Sequence, residues 1–274
     1  MSLRAPNLGV MGEAPKLDQD EAIGFVARCV ARAPKLPFIV GVSAPGFAAM
    51  RALSHAAMAK GAAGVMIAPP PSLRTDDQIV TYYAQAVEAI GSDIPFVIQD
   101  YPLTLSVIMT PNVIRRIITD NPSCVMLKHE DWPGLEKIST LRRFEKEATL
   151  RRVSILTGNG GLFLDFEMER GVDGAMTGYA FPEMLIDVVR LSSEGRREEA
   201  HDLFDAHLPL VRYEQQQGVG LATRKYVMMK RGILASDAQR KPGGGLSATA
   251  MAEIDYLLTR LARHDPRAAA RVVA

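Results

Sequence analysis

The segment Cys124-Val125-Met126-Leu127-Lys128 decides the fold interpretation, because it is an apolar run that a lysine closes. A buried strand rarely ends in an unpaired ammonium, since taking that charge out of water costs several kcal/mol. A depressed pKa is one escape, and it leaves a neutral amine that can attack a carbonyl and form a Schiff base. Lys128 is therefore the first candidate for chemistry.

Five other apolar segments resemble this one and recur along the chain. The six predicted strands cover residues 37–42, 64–68, 95–99, 124–128, 154–157 and 174–177. Their starts lie about 20 to 31 residues apart, which fits βα units and excludes hairpins. The segments are nearly continuous in apolar residues, and this pattern indicates strands that are buried on both faces.

Helical patterns separate these strands and follow the last of them. The predicted helices cover residues 48–60, 77–90, 111–121, 135–148, 184–191, 196–213, 221–231 and 248–263. Repeated βα units form either an open doubly wound sheet or a (β/α)8 barrel, and the even spacing favours the barrel. Residues 8–11 resemble the end of a seventh strand, and too few residues precede them for an eighth. We predict an α/β fold, a TIM barrel that lacks its first βα unit (residues 1–195), followed by a C-terminal helical extension (residues 196–274).

The composition excludes several classes of function. Of 274 residues, 47% are hydrophobic and 23% charged, and 32 Lys and Arg balance 31 Asp and Glu, so neither nucleic acid nor an anionic membrane is an expected partner. Cys29 and Cys124 lie in apolar segments and are interpreted as reduced core residues. No apolar stretch approaches the ~20 residues of a membrane span, and no signal peptide pattern precedes the first segment. We expect a cytoplasmic protein.

No cofactor pattern is found in the sequence. The histidines are scattered, without HxH, HExxH or a His/Cys cluster, so we predict no metal. A GxGxxG fingerprint after a strand is absent, which argues against a dinucleotide site.

Strand alternation indicates which side chains accompany Lys128. Met126 and Glu130 face the same way as Lys128, whereas His129 faces the other way. In a parallel barrel, the carboxyl ends of the strands are where catalytic residues lie. An alternative is that Lys128 forms only a structural ion pair, with one of three carboxylates: Glu13, Asp100 or Glu130.

Two further segments end near the same edge. Gln99 and Tyr101 share a face before and after the end of the third predicted strand, where Tyr101 is either a proton carrier or a packing residue. The loop Thr157-Gly158-Asn159-Gly160-Gly161 allows a close backbone approach and could hold an anion. The alternative that this loop binds phosphate has few basic residues nearby to support it.

In these residues the chain resembles the dihydrodipicolinate synthase / N-acetylneuraminate lyase family of class I aldolases. The resemblance extends from residue 8 to about residue 261. The segments that carry it, in chain order, are 9–17, 41–43, 61–64, 100–102, 127–130, 157–158 and 171–175.

The resemblance implies a role for each matching position. Lys128 matches the lysine that binds pyruvate or another 2-oxo acid as a Schiff base. Val10 and Met11 stand where the family has two threonines that contact the substrate carboxylate, so only their backbone N–H groups can help. Gln99 stands where the family has its proton-carrying tyrosine, and Tyr101 is our hypothesis for a displaced substitute. The substrate-binding residues that we expect are Val10, Met11, Gln99, Gly158 and Met176.

These departures favour a particular activity. The aldehyde-recognising arginine of the synthases is absent, since Leu103-Thr104-Leu105 follows Pro102. The resemblance therefore implies a lyase, an aldolase or dehydratase acting on pyruvate or a 2-keto-3-deoxy sugar acid through Lys128. The alternatives are a 4-hydroxy-tetrahydrodipicolinate synthase and a catalytically impaired, metabolite-binding relative. The resemblance also implies a homo-oligomer, either a tetramer or a dimer.

Overall fold

A parallel sheet forms the first of two units in the chain. The computed structural model describes residues 5–7 and 13–269, and within them seven strands pair in parallel in chain order. The strands are β1 (Ala5–Asn7), β2 (Phe38–Gly41), β3 (Gly64–Ile67), β4 (Phe96–Asp100), β5 (Cys124–His129), β6 (Ser154–Thr157) and β7 (Gly174–Ala175). The six predicted strands are confirmed, with ends that shift by at most two residues.

Six helices belong to the same unit, which contains the described residues up to Gly158 together with Arg170–Met176. They are α1 (Gln19–Arg32), α2 (Phe47–Ala59), α3 (Asp76–Ile90), the short α4 (Pro102–Leu105), α5 (Pro111–Asp120) and α6 (Leu135–Lys146). The four helices predicted between the strands are confirmed as α2, α3, α5 and α6. Helices α1 and α4 were not predicted.

The second unit is helical and contains Asn159–Glu169 and the described residues from Thr177 onward. Its helices are α7 (Leu164–Glu169), α8 (Pro182–Ser193), α9 (Arg197–Glu214), α10 (Gly220–Lys230) and α11 (Ala248–Leu261). A buried network lies inside it, in which the Tyr179 hydroxyl is 3.0 Å from His207 Nδ1 and His207 Nε2 is 2.9 Å from Asp265 Oδ2. Among the described residues, none of the helices has the length and apolar character that crossing a bilayer requires.

An apolar cluster lies on one face of the sheet, next to the strand ends that carry the candidate site described below. It consists of five buried side chains: Ile39, Met66, Val97, Met126 and Met176. Met66, Val97 and Met126 are register partners on β3, β4 and β5, so neighbouring strands contribute side chains at one level. The residues two positions further along β4 and β5 point to the same face.

Three predictions about the fold remain untested. The predicted strand end at residues 8–11 lies outside the described residues, although β1 precedes it at Ala5–Asn7. The closure of the sheet as a (β/α)8 barrel without its first βα unit stays a prediction. So does the domain boundary between residues 195 and 196.

Helix α1, which was not predicted, begins at a local signal that is visible in the sequence. The Asp18 side chain accepts a 2.8 Å hydrogen bond from the Glu21 N–H, and the Glu21 side chain accepts one of 3.2 Å from the Asp18 N–H. This reciprocal arrangement is a capping box, which satisfies two backbone donors that would otherwise lack a helical partner.

We predict that Asp18→Ala lowers the free energy of unfolding by about 1 kcal/mol, because alanine cannot cap the helix. Asp18→Asn is the matched control and should retain at least half of that stability, since asparagine caps nearly as well. Urea denaturation of both variants beside the unaltered chain measures the difference. Equal losses in the two variants would contradict the capping account.

Candidate functional site at the carboxyl ends of β4 and β5

Lys128 lies on β5 one residue before the strand ends, and it is 5% exposed. Two residues earlier Met126 belongs to the apolar cluster, so strand alternation puts both side chains on the same face of the sheet. The Lys128 Nζ atom lies 3.1 Å from Glu130 Oε2. The ion pair that the sequence left open is therefore present, and its partner is Glu130.

The Glu130 carboxylate is the centre of this site. It follows β5 directly and is almost completely buried. Gln99 Nε2 donates a 2.8 Å hydrogen bond to Glu130 Oε2, the same oxygen that faces Lys128. Gln99 and Lys128 are register partners on β4 and β5, which brings both donors to one level of the sheet. Because a buried charge is costly unless it is paired and hydrogen-bonded, these two donors stabilise the carboxylate here.

Gly158 provides the space that the Glu130 side chain fills. The Gly158 N–H donates a 2.8 Å hydrogen bond to the His129 carbonyl, which continues the strand pairing one residue beyond β6. A Cβ atom on Gly158 would overlap with the Cγ, Cδ and Oε1 atoms of Glu130. Any side chain at position 158 would therefore displace the carboxylate.

Tyr101 follows β4 at the N-cap position of the short helix α4, and it is buried. Burial raises the pKa of its phenol, a hydrogen bond with Thr104 partly offsets this, and the Glu130 charge raises the pKa further. At neutral pH the phenol is therefore protonated and can donate a hydrogen bond or a proton. Glu130 is thus one of the charged groups that act on the Tyr101 phenol.

A second polar cluster lies on the opposite face of β4 and β5. Lys137 Nζ on α6 is 2.8 Å from Asp100 Oδ2 and 2.6 Å from Asp131 Oδ2, and His129 Nδ1 is 3.6 Å from Asp100 Oδ2. His129 thus faces away from Lys128, as strand alternation predicts. Asp100, one of the carboxylates considered for Lys128, is paired with Lys137 instead. Through Lys137, this cluster connects the ends of β4 and β5 with helix α6.

Three predicted substrate-binding residues remain: Met176 belongs to the apolar cluster, and Val10 and Met11 are considered after it. Met176 is a buried member of the apolar cluster, and its N–H donates a 2.7 Å hydrogen bond to the Thr157 carbonyl. Val10 and Met11 lie outside the described residues. The structure therefore brings together Gln99, Lys128 and Gly158 around one carboxylate, with Met176 below.

Glu130 is the residue that the sequence analysis did not assign to the site. A signal was available, because Lys128 and Glu130 are two residues apart at a strand end and so share a face. That spacing did not distinguish Glu130 from the other two carboxylates as the partner of Lys128.

Within the described part of the chain, no group of three or more His, Cys, Asp and Glu side chains is arranged to hold a metal ion.

Comparison with protein families gives one match that covers nearly the whole chain. The profile of the dihydrodipicolinate synthetase family matches residues 7–261. This range includes most of both units and every residue of the candidate site.

Individual relatives agree with this match. A crystal structure of dihydrodipicolinate synthase from Rhodopseudomonas palustris superimposes with a TM-score of 0.92 at 69% identity, covering 93% of this chain and 85% of that chain. An L-2-keto-3-deoxyarabonate dehydratase from Azospirillum brasilense is 30% identical over 233 residues, 84% of this chain and 73% of the relative. A 4-hydroxy-tetrahydrodipicolinate synthase from Persephonella marina is 26% identical over 228 residues, 80% of this chain and 74% of the relative.

We predict that Gly158→Ala lowers the free energy of unfolding by about 1–3 kcal/mol, because its methyl group forces Glu130 away from its two donors. Gly24→Ala is the control, since Gly24 is exposed in the middle of α1 and no heavy atom lies within 4 Å of its Cβ position. That variant should be unchanged or more stable by up to about 1 kcal/mol. Urea denaturation tests both, and an unchanged stability of Gly158→Ala would show that Glu130 does not need this space.

Proposed function

The chain belongs to the dihydrodipicolinate synthetase family of Schiff-base lyases, and from this premise we propose that Lys128 forms the imine with a 2-oxo acid. The observation that carries the proposal is the buried Lys128 amine at the carboxyl end of β5, held 3.1 Å from the Glu130 carboxylate. Buried lysines are costly, and class I lyases use such an amine as a nucleophile. Asp100 does not pair with Lys128, because Asp100 lies in the second polar cluster and pairs with Lys137.

The substrate that we propose is a 2-keto-3-deoxy sugar acid, which the enzyme dehydrates. The curated relative at 30% identity is a dehydratase of this substrate class. The sequence Leu103-Thr104-Leu105 offers no cation for an acidic aldehyde partner. The substrate carboxylate would be held by the backbone N–H groups at Val10 and Met11, since the Gly158 N–H already donates to the His129 carbonyl.

The proposed reaction uses the imine to accept electrons. Once Lys128 is joined to C2, transfer of a proton from C3 to the Glu130 carboxylate, which lies beside the Lys128 nitrogen, gives an enamine, and the enamine expels the C4 hydroxyl group as water. That hydroxyl needs a proton as it leaves. The protonated phenol of Tyr101 is a suitable donor, because its raised pKa keeps it protonated at neutral pH. Gln99 and Met176 would line the remainder of the site.

The imine is tested by reduction. We expect that borohydride added with pyruvate increases the mass of the Lys128 peptide by that of pyruvate minus one oxygen atom, as peptide mass spectrometry would show. Lys128→Arg should remove the adduct, whereas Lys146→Arg, at an exposed site on α6, should retain it. The absence of an adduct across a panel of 2-oxo acids would favour a metabolite-binding relative without turnover.

The role of Tyr101 is tested by removing its hydroxyl. Tyr101→Phe should lower kcat for dehydration of 2-keto-3-deoxy-L-arabonate about a hundredfold, because a general acid contributes at least that factor. Imine trapping with pyruvate should continue. Tyr256→Phe is the matched control, since Tyr256 is 61% exposed in the second unit, and its turnover should be unchanged. Full turnover in Tyr101→Phe would remove Tyr101 from the mechanism.

A second candidate function is condensation of pyruvate with an aldehyde. It is supported by the synthase crystal structure at 69% identity and by the curated synthase at 26%. The two reactions share the imine and differ in what the enamine does next. Incubation with pyruvate and an aldehyde acceptor, beside incubation with 2-keto-3-deoxy-L-arabonate, separates them: the proposal expects product from the sugar acid only.

A further inference from the structure

We propose that Glu130 is the catalytic proton carrier of imine formation at Lys128, held for that task by Gln99 and Gly158. The inference rests on the proposed function, because it assigns a step of the same reaction. Its basis is the position of one carboxylate oxygen, which lies 3.1 Å from the amine and accepts a 2.8 Å hydrogen bond from Gln99.

The lysine needs a proton acceptor before it can react. In the ion pair the nitrogen is an ammonium and has no lone pair, so it cannot attack a carbonyl. Transfer of one proton along the 3.1 Å contact to Glu130 gives a neutral amine and a neutral carboxylic acid. Because both groups are buried, this transfer leaves no unpaired charge behind, whereas loss of the proton to any distant acceptor would strand the Glu130 charge.

The same proton is then needed by the substrate. The amine attacks C2, a C–N bond forms, and the carbonyl oxygen takes up a proton from the attacking nitrogen to become a hydroxyl. The Glu130 acid donates its proton to that hydroxyl, the C–O bond breaks, and water leaves. An ammonium and a ketone have become an iminium and water, with no change of oxidation state. The new positive charge lies beside the regenerated Glu130 carboxylate.

Other groups near Lys128 do not fit this task. Gln99 is an amide, which donates a hydrogen bond but does not carry a proton. The pKa of Tyr101 is raised by burial and by the charge on Glu130, so its phenol is a donor and not the acceptor of the lysine proton. His129 and Asp100 face the second polar cluster, where Lys137 is 2.8 Å from Asp100.

Two neighbours keep the carboxylate at the amine. Gln99 donates to the oxygen that contacts Lys128, so the carboxylate cannot rotate away without losing that bond. Gly158 has no side chain to displace it. Both act on the reaction through Glu130 and are positioning residues for this step.

The experiment measures the rate of imine formation directly. Unaltered protein and variants are mixed with pyruvate, quenched with borohydride after set times, and analysed for the Lys128 peptide adduct. Glu130→Gln retains the shape of the side chain and should form the imine about a hundredfold more slowly, with the same final yield. Asp100→Asn is the matched control, since it removes a buried, lysine-paired carboxylate from the opposite face of the same strands, and its rate should be unchanged. Circular dichroism verifies that each variant is folded.

Chemical rescue separates proton transfer from a structural role. Glu130→Ala opens space beside Lys128, and added formate should restore the rate in proportion to its concentration, while chloride at equal ionic strength should not. Normal rates in Glu130→Gln, equal slowing in Asp100→Asn, or no response to formate in a folded Glu130→Ala would each overturn the assignment. A failure of the proposed function is distinct, because unaltered protein would then give no Lys128 adduct at any time.

Discussion

The contact between Lys128 and Glu130 is the interaction on which the rest of the site depends. An ammonium and a carboxylate, both buried, lie 3.1 Å apart at the end of β5, two residues after Met126 of the apolar cluster. Neither charge is tolerable there without the other, because desolvation of a single ion costs several kcal/mol. The pair therefore holds the amine buried at the strand end, where the proposed function requires it to react with a 2-oxo acid.

The sheet brings the parts of this pair together. In-register pairing of β4 and β5 places Gln99 beside Lys128, and alternation sends Asp100 and His129 to the other face, where Lys137 neutralises Asp100. Two lysines and two carboxylates at the ends of these strands are thus separated into one pair on each face. The pair on the helix side holds the strand ends to α6, which leaves the other pair available for chemistry.

The sequence predicted the strands well, and it named three of the residues that the structure brings together: Gln99, Lys128 and Gly158. Strands buried on both faces are apolar runs between glycines and prolines, so their positions could be found without tertiary information. Helix α1 was missed although the spacing of Asp18 and Glu21 has the pattern of a capping box; only Ala22 and Val26 of this helix are buried, while Phe25 is 48% exposed. Glu130 was missed as a functional residue because choosing among three carboxylates requires the register of β4 against β5 and the space at Gly158, which are properties of the assembled sheet.

A crystal structure of the protein grown with pyruvate tests the central claim most directly. The account predicts continuous electron density from Lys128 Nζ to C2 of the ligand, with the Glu130 carboxylate still in contact with that nitrogen and with Gln99 Nε2. Pyruvate bound elsewhere, with the Lys128 amine unmodified and still paired with Glu130, would contradict it.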